Sequence, residues 1–451
     1  MQQKQRLVGS RWLFFVRKIY QSMDLYLGID FGTSGARAIV IDDQACIQAE
    51  VRYPWDSSSI SDLVTSWQTA LLTLLTYIPD ELRREIRAIA INGTSSTVLL
   101  SDGNGQPVDT PLLYNDARGS VMLEHLRNIA PPNHTVLSAT SSLAKLLWMS
   151  QLPTFSQAKY FLHQADWLAF LLHGVLGISD YHNALKLGYD VEQLKYPEWL
   201  EKLQITIQLP KVLPPGTPIA KLRPEIAKQF AFPDDCLVCA GTTDSIAAFL
   251  ASGAKLPGQA VTSLGSTLVL KLLSRTRVED SRYGIYSHRL GDLWLTGGAS
   301  NTGGAVLRQF FTDAELESLS REIDSSKASP LDYYPLLKAG DRFPINDPNL
   351  PPRLTPRPDN PVEFLHGLLE SISRIEARGY ELLQQLGADL LTHVYTAGGG
   401  ATNKTWAAIR RRNLKVRIKA SANTEAAYGT ALLAMRGGLE TGDWGSGRVR
   451  E

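Results

Sequence analysis

One local device occurs twice in this chain, once near the start of each half: an apolar strand, a tip of glycine and hydroxyl residues, and a second apolar strand. The first copy runs from Leu25 to Asp30 and from Ala36 to Asp42, around Phe31-Gly32-Thr33-Ser34-Gly35. The second spans Val261–Leu273, with Leu264-Gly265-Ser266-Thr267 at its tip. Both read as β-hairpins. A chain of 451 residues is too long for one hydrophobic core. Each half mixes strands with helices, so the expected class is α/β, in two lobes. The boundary is placed near Lys255–Gly258, giving an extension over 1–22, a first lobe over 23–254, a second over 255–437 and a tail over 438–451.

Helical periodicity is read at Ser61–Thr76, Glu81–Arg84, Ser138–Gln151, Gln164–Leu172, Asp244–Ala254, Thr302–Phe311, Val362–Leu386 and Thr424–Met435, the last stopping at Gly437. Apolar runs at Ile86–Ile91, Leu237–Ala240 and His393–Thr396 read as buried strands. Seven prolines from Pro344 to Pro361 mark a long loop, because proline gives a ladder no donor.

The formal net charge is +1, with basic residues dispersed, so no electrostatic footprint for nucleic acid or an anionic membrane is present. Three cysteines make no disulfide framework, and a reducing compartment suits them. Cys236 and Cys239 form a CxxC, but their odd separation on a strand sends the thiols to opposite faces, so both are expected in the core. The first 22 residues carry Lys4, Arg6, Arg11, Arg17 and Lys18 and no acid, and Trp12–Val16 is too short an apolar run for a membrane span. Met23 is itself a candidate initiator. The segment is read as an upstream start or disordered extension, or else as an organelle transit segment. The expected location is the cytoplasm, or a plastid in the second case.

Three loops bear on chemistry. At Asp30–Gly35 the glycines let backbone N–H groups approach phosphate oxygens, Thr33 and Ser34 add hydroxyl donors, and Asp30 can hold Mg²⁺ through waters. Ser263–Thr267 repeats that logic. Gly398-Gly399-Gly400-Ala401-Thr402-Asn403 follows a strand and opens toward a helix, where a flat adenine can lie on backbone. No P-loop is present. Asp244, in Gly241-Thr242-Thr243-Asp244-Ser245, reads either as a first-turn helix acid or as a general base facing a cleft.

In order along the chain stand Gly28-Ile29-Asp30-Phe31-Gly32-Thr33 with Arg37, Asn115-Asp116-Ala117-Arg118, Leu143–Trp148, Ser179-Asp180-Tyr181-His182-Asn183-Ala184, Asp244, Ser263–Thr267, Gly340-Asp341-Arg342-Phe343-Pro344, Gly398–Asn403 and Ala427-Tyr428-Gly429-Thr430-Ala431. This series resembles the FGGY carbohydrate kinases over nearly all of Tyr26–Met435. The resemblance implies an actin-like, ribonuclease-H-like fold duplicated into two lobes around a cleft for sugar and ATP. It implies Asp244 as the base, with Asp30 and Thr33 serving metal, phosphate and reacting hydroxyl. Sugar would meet Asp30, Thr33, Ser34, Arg37, Thr94, Ser95, Asp116 and Asp244. ATP would meet Gly32, Thr33, Gly265, Ser266, Thr267, Gly303, Gly304, Gly398, Gly399, Gly400, Ala401, Thr402 and Asn403, with Mg²⁺ near Asp30.

Departures from the family narrow the substrate. The Arg-Glu pair of glycerol kinase and the Met-His-Gly of xylulokinase are replaced after Ile91-Asn92 by Gly93-Thr94-Ser95-Ser96-Thr97. That run is more similar to the Asp-Ala-Thr-Cys-Ser of the ribulokinases, while Tyr114 stands where tryptophan is usual. A small neutral wall without lysine or arginine suits an uncharged sugar. D-ribulose is the expected substrate, with D-xylulose or another pentulose or polyol next. A nucleotide-binding pseudokinase and an actin-like polymer are the readings of other classes. Sugar and ATP are the expected partners, without nucleic acid or membrane, for a monomer or homodimer.

Overall fold

A computed structural model describes residues 23–55 and 62–439. The readings of 1–22, of Ser61 and of the tail beyond 439 lie outside the described residues.

The first lobe begins with β1 (Leu25–Phe31), β2 (Gly35–Asp42), β3 (Ile47–Pro54), α1 (Leu63–Tyr77), α2 (Asp80–Arg83) and β4 (Ile86–Gly93). An insertion follows: β5 (Val98–Ser101), α3 (Leu123–Arg127), α4 (Ser142–Met149), β6 (Tyr160–His163), α5 (Gln164–His173), β7 (Ile178–Asp180), α6 (Tyr181–Ala184) and β8 (Lys211–Leu213). β9 (Pro218–Lys221), α7 (Pro224–Phe230), β10 (Leu237–Thr243) and α8 (Asp244–Ala251) complete it. The second lobe comprises β11 (Gln259–Leu264), β12 (Leu268–Ser274), β13 (Tyr286–Leu290), β14 (Leu293–Ser300), α9 (Gly304–Arg308), α10 (Asp313–Glu322), α11 (Pro361–Gln385), β15 (His393–Ala397), α12 (Lys404–Leu414), β16 (Arg417–Ala420) and α13 (Ala426–Gly438).

Each lobe is built on a six-stranded sheet, ordered β3-β2-β1-β4-β10-β9 in the first and β13-β14-β12-β11-β15-β16 in the second. In both, an antiparallel hairpin leads into parallel neighbours: β1 runs parallel to β4, and β4 to β10, just as β11 runs parallel to β15, and β15 to β16. The chain therefore has a mixed α/β fold in two lobes. One core lies beneath α1 and α5 and holds Leu27, Ile29 and Cys236; another packs α11 and α12 on the second sheet. A third core is shared between lobes, joining Tyr26, Ala90 and Cys239 to Val261, Leu273 and Leu295. α13 lies in it, so close to β1 that a Cβ on Gly28 would come within 2.1 Å of the Ala427 carbonyl oxygen.

The two cysteines of the CxxC fall in separate cores, and burial pushes the Cys239 thiol up to about 12. Several helices are shorter than their periodicity suggests. α4 starts at Ser142 because Ser141 caps it, its hydroxyl accepting from Ala144 N–H at 3.1 Å. α8 stops at Ala251, ahead of Gly253 at φ +87°.

Candidate active site

The parallel strands β1, β4 and β10 place three residues side by side: Asn92 is in register with Asp30 on one flank and with Thr242 on the other. Their carboxyl ends open into one crevice, the usual position of a ligand on such a sheet. Buried polar atoms without protein partners gather there: Asp30 Oδ1, Asn92 Oδ1 and Thr243 Oγ1. Buried polar atoms are normally hydrogen-bonded, so a cluster of orphans marks a surface shaped for a ligand.

Asp244 opens α8 directly after β10, with Thr243 as the N-cap. Its Oδ1 accepts from Ser245 N–H at 2.7 Å, and Ser95 N–H supports the carboxylate from the β4 side. Burial pushes its pKa up, against the pull of Ser245, Lys271, Lys186 and Ser95. Asp30 is raised to about 7, first by burial and then by the Asp244 charge, with Arg37 and Asn92 opposing. Two carboxyl groups thus share a poorly solvated crevice, a setting typical of acid–base and metal work.

At the first hairpin tip Gly32 N–H donates to Gly35 O at 3.0 Å, and the indole of Trp55 donates to Gly32 O at 3.0 Å. The tip is held from behind while Thr33 and Ser34 are exposed. Arg37 forms an ion pair with Glu425, at the N-cap of α13. Its charge is thus already engaged across the lobe junction.

Behind the neutral 93–97 turn lies a cation that the sequence pattern does not reveal. It is the Lys145 ammonium, 0% exposed, donating to Ser96 O and Leu113 O at 2.7 Å each. Burial lowers the pKa of that lysine to about 8. Thr94 is buried, and its hydroxyl meets Thr97 Oγ1 at 2.5 Å and Gln164 Oε1 at 3.3 Å, leaving Ser95 as the part-exposed member. Asp116 is held by Arg118 at 2.6 Å, and Arg118 stacks 4.7 Å over Trp148.

In the second lobe the glycine loops converge. Gly304 N–H donates to Gly265 O at 2.9 Å and Ala305 N–H to Ser266 O at 3.1 Å. Gly303 (φ +143°) and Gly398 (φ +82°) leave no room for a Cβ, which would come within 2.8 Å of Ser266 O and 2.7 Å of Leu264 O respectively. A cleft of about 910 Å³ opens beside them, lined by Gly265, Ser266, Gly304, Gly399, Gly400 and Asn403, among others. Gly399–Thr402 forms a 3₁₀ turn, and Asn403 then caps α12, its Oδ1 accepting from Trp406 N–H at 2.9 Å. Thr267, Ala401 and Thr402 flank the loops, with the Thr402 hydroxyl donating to Gly399 O at 3.2 Å.

Among the described residues no group of three or more His, Cys, Asp or Glu could enclose a metal. The orphaned Asp30 Oδ1 and the nearby Asp244 are hard oxygen donors, which fits a Mg²⁺ held mostly by phosphates and water. Sequence reasoning missed Asn92, Lys145, His182, Lys271 and Glu425, whose roles depend on partners far away in the chain. Lys145 and His182 stand inside the family-like runs Leu143–Trp148 and Ser179–Ala184, Asn92 ends the Ile91-Asn92 strand and Lys271 lies in the second hairpin, but none of these local patterns shows the distant partner.

Two family models match: the FGGY family of carbohydrate kinases, N-terminal domain, over residues 25–251, and its C-terminal domain over 260–438. A xylulose kinase of Bacillus subtilis (strain 168) is 25% identical over 450 residues, spanning 92% of this chain and 88% of its own. A gluconokinase of the same organism is 23% identical over 360 residues, spanning 72% and 69%. Among solved structures, a xylulose kinase from Rhodospirillum rubrum superposes with TM-score 0.80 at 22% identity, covering 93% of this chain and 91% of that one. Plasmodium falciparum glycerol kinase with ADP gives 0.79 at 17%, covering 92% and 90%. The structural likenesses establish the two-lobed fold. With both domain models matched in order along the chain, the protein belongs to the FGGY family of carbohydrate kinases.

Proposed function

We propose that this kinase transfers the γ-phosphoryl group of ATP to a hydroxyl of a neutral pentulose, D-ribulose first and D-xylulose second. The observation that carries the reading is the Asp244 carboxylate, held by the Ser245 N–H group beside Asp30 at the mouth of the parallel strands. In it, 23–254 supplies the sugar side and 255–437 the nucleotide side.

Asp244 takes the proton of the sugar hydroxyl. The oxygen forms its bond to the γ-phosphorus as the bond to the ADP oxygen breaks. Asp30, Thr33 and Ser95 position the sugar; Ser34, Arg37 and Asp116 form the outer wall, and Thr94 braces Ser95 from behind. The backbone at Gly32, Gly265, Ser266, Gly303, Gly304 and Gly398–Thr402, with Asn403, surrounds the nucleotide, the glycines letting it approach closely. Mg²⁺, when bound near Asp30, neutralises phosphate charge.

The pentulose preference rests on the small turn at Gly93–Thr97, which presents Ser95 and keeps the Lys145 charge inside. ADP release from Mg²⁺-ATP, measured with D-ribulose, D-xylulose, glycerol and gluconate, tests it. A strong response to a pentulose and a weak one to the others is expected. Turnover of glycerol or gluconate equal to that of a pentulose would refute the substrate class. No response to any sugar would favour a nucleotide-binding pseudokinase.

A further inference from the structure

Lys271 lies on β12 of the second lobe, between the buried Leu270 and Leu272, so the pleat turns it away from that lobe's core. Its cross-strand neighbour on β14 is Gly297, where a Cβ would come within 1.9 Å of the Leu270 carbonyl oxygen. No side chain can stand beside the lysine there. A small cavity of about 180 Å³ adjoins this pair, lined in part by Lys271, Gly297, Tyr286, His288 and Arg342.

The Lys271 ammonium reaches the opposite lobe and donates to Ser245 O at 2.5 Å. Ser245 is in the first turn of α8, one residue after Asp244. No ion pair to Lys271 forms among the described residues, so its charge is left to act on Asp244. Desolvation lowers the lysine's pKa to about 8 and Lys186 adds to that, while Asp244 favours the charged lysine and Lys271 in turn favours the ionised Asp244.

We propose that Lys271 is a positioning residue for the catalytic base, supplied by the other lobe: its ammonium clamps the first turn of α8, so that Asp244 is aimed at the sugar hydroxyl only while the two lobes are engaged. This rests on the kinase reading above. It gives a physical reason for a half-buried lysine without an ion-pair partner at a lobe seam.

The test is Lys271→Met, Lys271→Gln and Lys271→Arg in the full chain, each assayed for kcat and for KM of the pentulose. Calorimetry of D-ribulose and of a non-hydrolysable ATP analogue, and the melting temperature, accompany each. Lys271→Met is expected to lower kcat roughly 10- to 100-fold, the usual effect of small misplacement of a reacting group, with sugar and nucleotide affinities nearly unchanged. Lys271→Arg, which keeps charge and donors, should recover most of the rate. If the methionine variant fails to fold, Lys271→Gln carries the same expectation. A kcat within twofold of wild type in either variant overturns the role, as does a fall in kcat matched by equal losses of sugar affinity and melting temperature. An arginine variant as slow as the methionine one also overturns it. A wild-type protein inactive toward every sugar would overturn the kinase reading, and this role with it.

Discussion

The imidazole Nε2 of His182, carried by the first lobe, lies 2.6 Å from the carbonyl oxygen of Arg289 in the second. A carbonyl can only accept, so Nε2 donates, and Nδ1 lies 2.7 Å from the Thr242 hydroxyl. Burial holds the ring's pKa down at about 4, so it is neutral at pH 7 and Nδ1 accepts from that hydroxyl. The sign follows from linkage: an unfolded histidine titrates near ~6.5, so this group's contribution is full above that pH and is lost as pH falls toward 4. The expected outcome is that the wild-type protein's advantage in melting temperature over His182→Gln is largest at neutral pH and shrinks on acidification. Scanning calorimetry across that range checks it, and a pH-independent difference would contradict the neutral seam.

Adjacent glycines in the nucleotide loop should respond differently to valine. At Gly399 a Cβ would find only Arg308 Nη2, at 3.8 Å, so Gly399→Val should fold normally and weaken ATP by occupying the nucleotide's approach. At Gly398 the backbone is at φ +82° and a Cβ would come within 2.7 Å of Leu264 O. Gly398→Val should therefore lose about 1–3 kcal/mol of stability as well. Separate titrations of each variant with ATP and with D-ribulose, beside urea unfolding, distinguish the two. Loss of sugar binding alone in Gly399→Val would refute the loop's assignment.

Beneath those loops Arg410 and Glu376, both 1% exposed, are joined at 2.6 and 2.7 Å. Arg410 also donates to Thr396 on β15 at 2.7 Å, and Thr262 on β11 donates to Glu376 at 2.5 Å. The network ties together the two strands that lead into Gly265 and Gly398. Arg410→Met leaves a buried carboxylate unpaired and should cost about 3–5 kcal/mol, whereas adding Glu376→Leu should recover much of it. Denaturant unfolding of the single and double variants measures this.

The parts of this molecule that were legible in sequence are those specified locally. A glycine-hydroxyl tip between two apolar runs is a hairpin wherever it falls, and β1–β2 and β11–β12 appear as read. Edge strands such as β3, with exposed Ile47, and β16, with little buried, lack the apolar run that announces a strand. Asp244 is visible as an acid opening a helix, but the crevice that makes it a candidate base is shared with Asp30, on a strand at the far end of the lobe's sequence. Lys145 was quoted in a helical motif, yet nothing in Leu143–Trp148 shows that its ammonium ends behind Ser96. Such pairings are set by how the sheets stack.

The sharpest prediction separates the two carboxylates of the crevice. If Asp244 is the base, Asp244→Asn should lower kcat by roughly 10²–10⁴-fold, the usual contribution of a positioned base. The amide keeps the side chain's shape, and Thr243 rather than Asp244 is the N-cap, so folding and nucleotide affinity should change little. Asp30 has an orphaned Oδ1 and a pKa raised to about 7, as suits a group whose charge is stabilised by a ligand the protein itself does not supply. Asp30→Asn should therefore weaken the response to Mg²⁺, and its rate should recover in part as Mg²⁺ is raised. No Mg²⁺ concentration should rescue Asp244→Asn, because an amide cannot take the hydroxyl proton. Rates measured across a Mg²⁺ series for both variants decide between the roles. An Asp244→Asn enzyme of near wild-type rate would make that residue a plain first-turn acid and move the proton transfer to another group in the crevice.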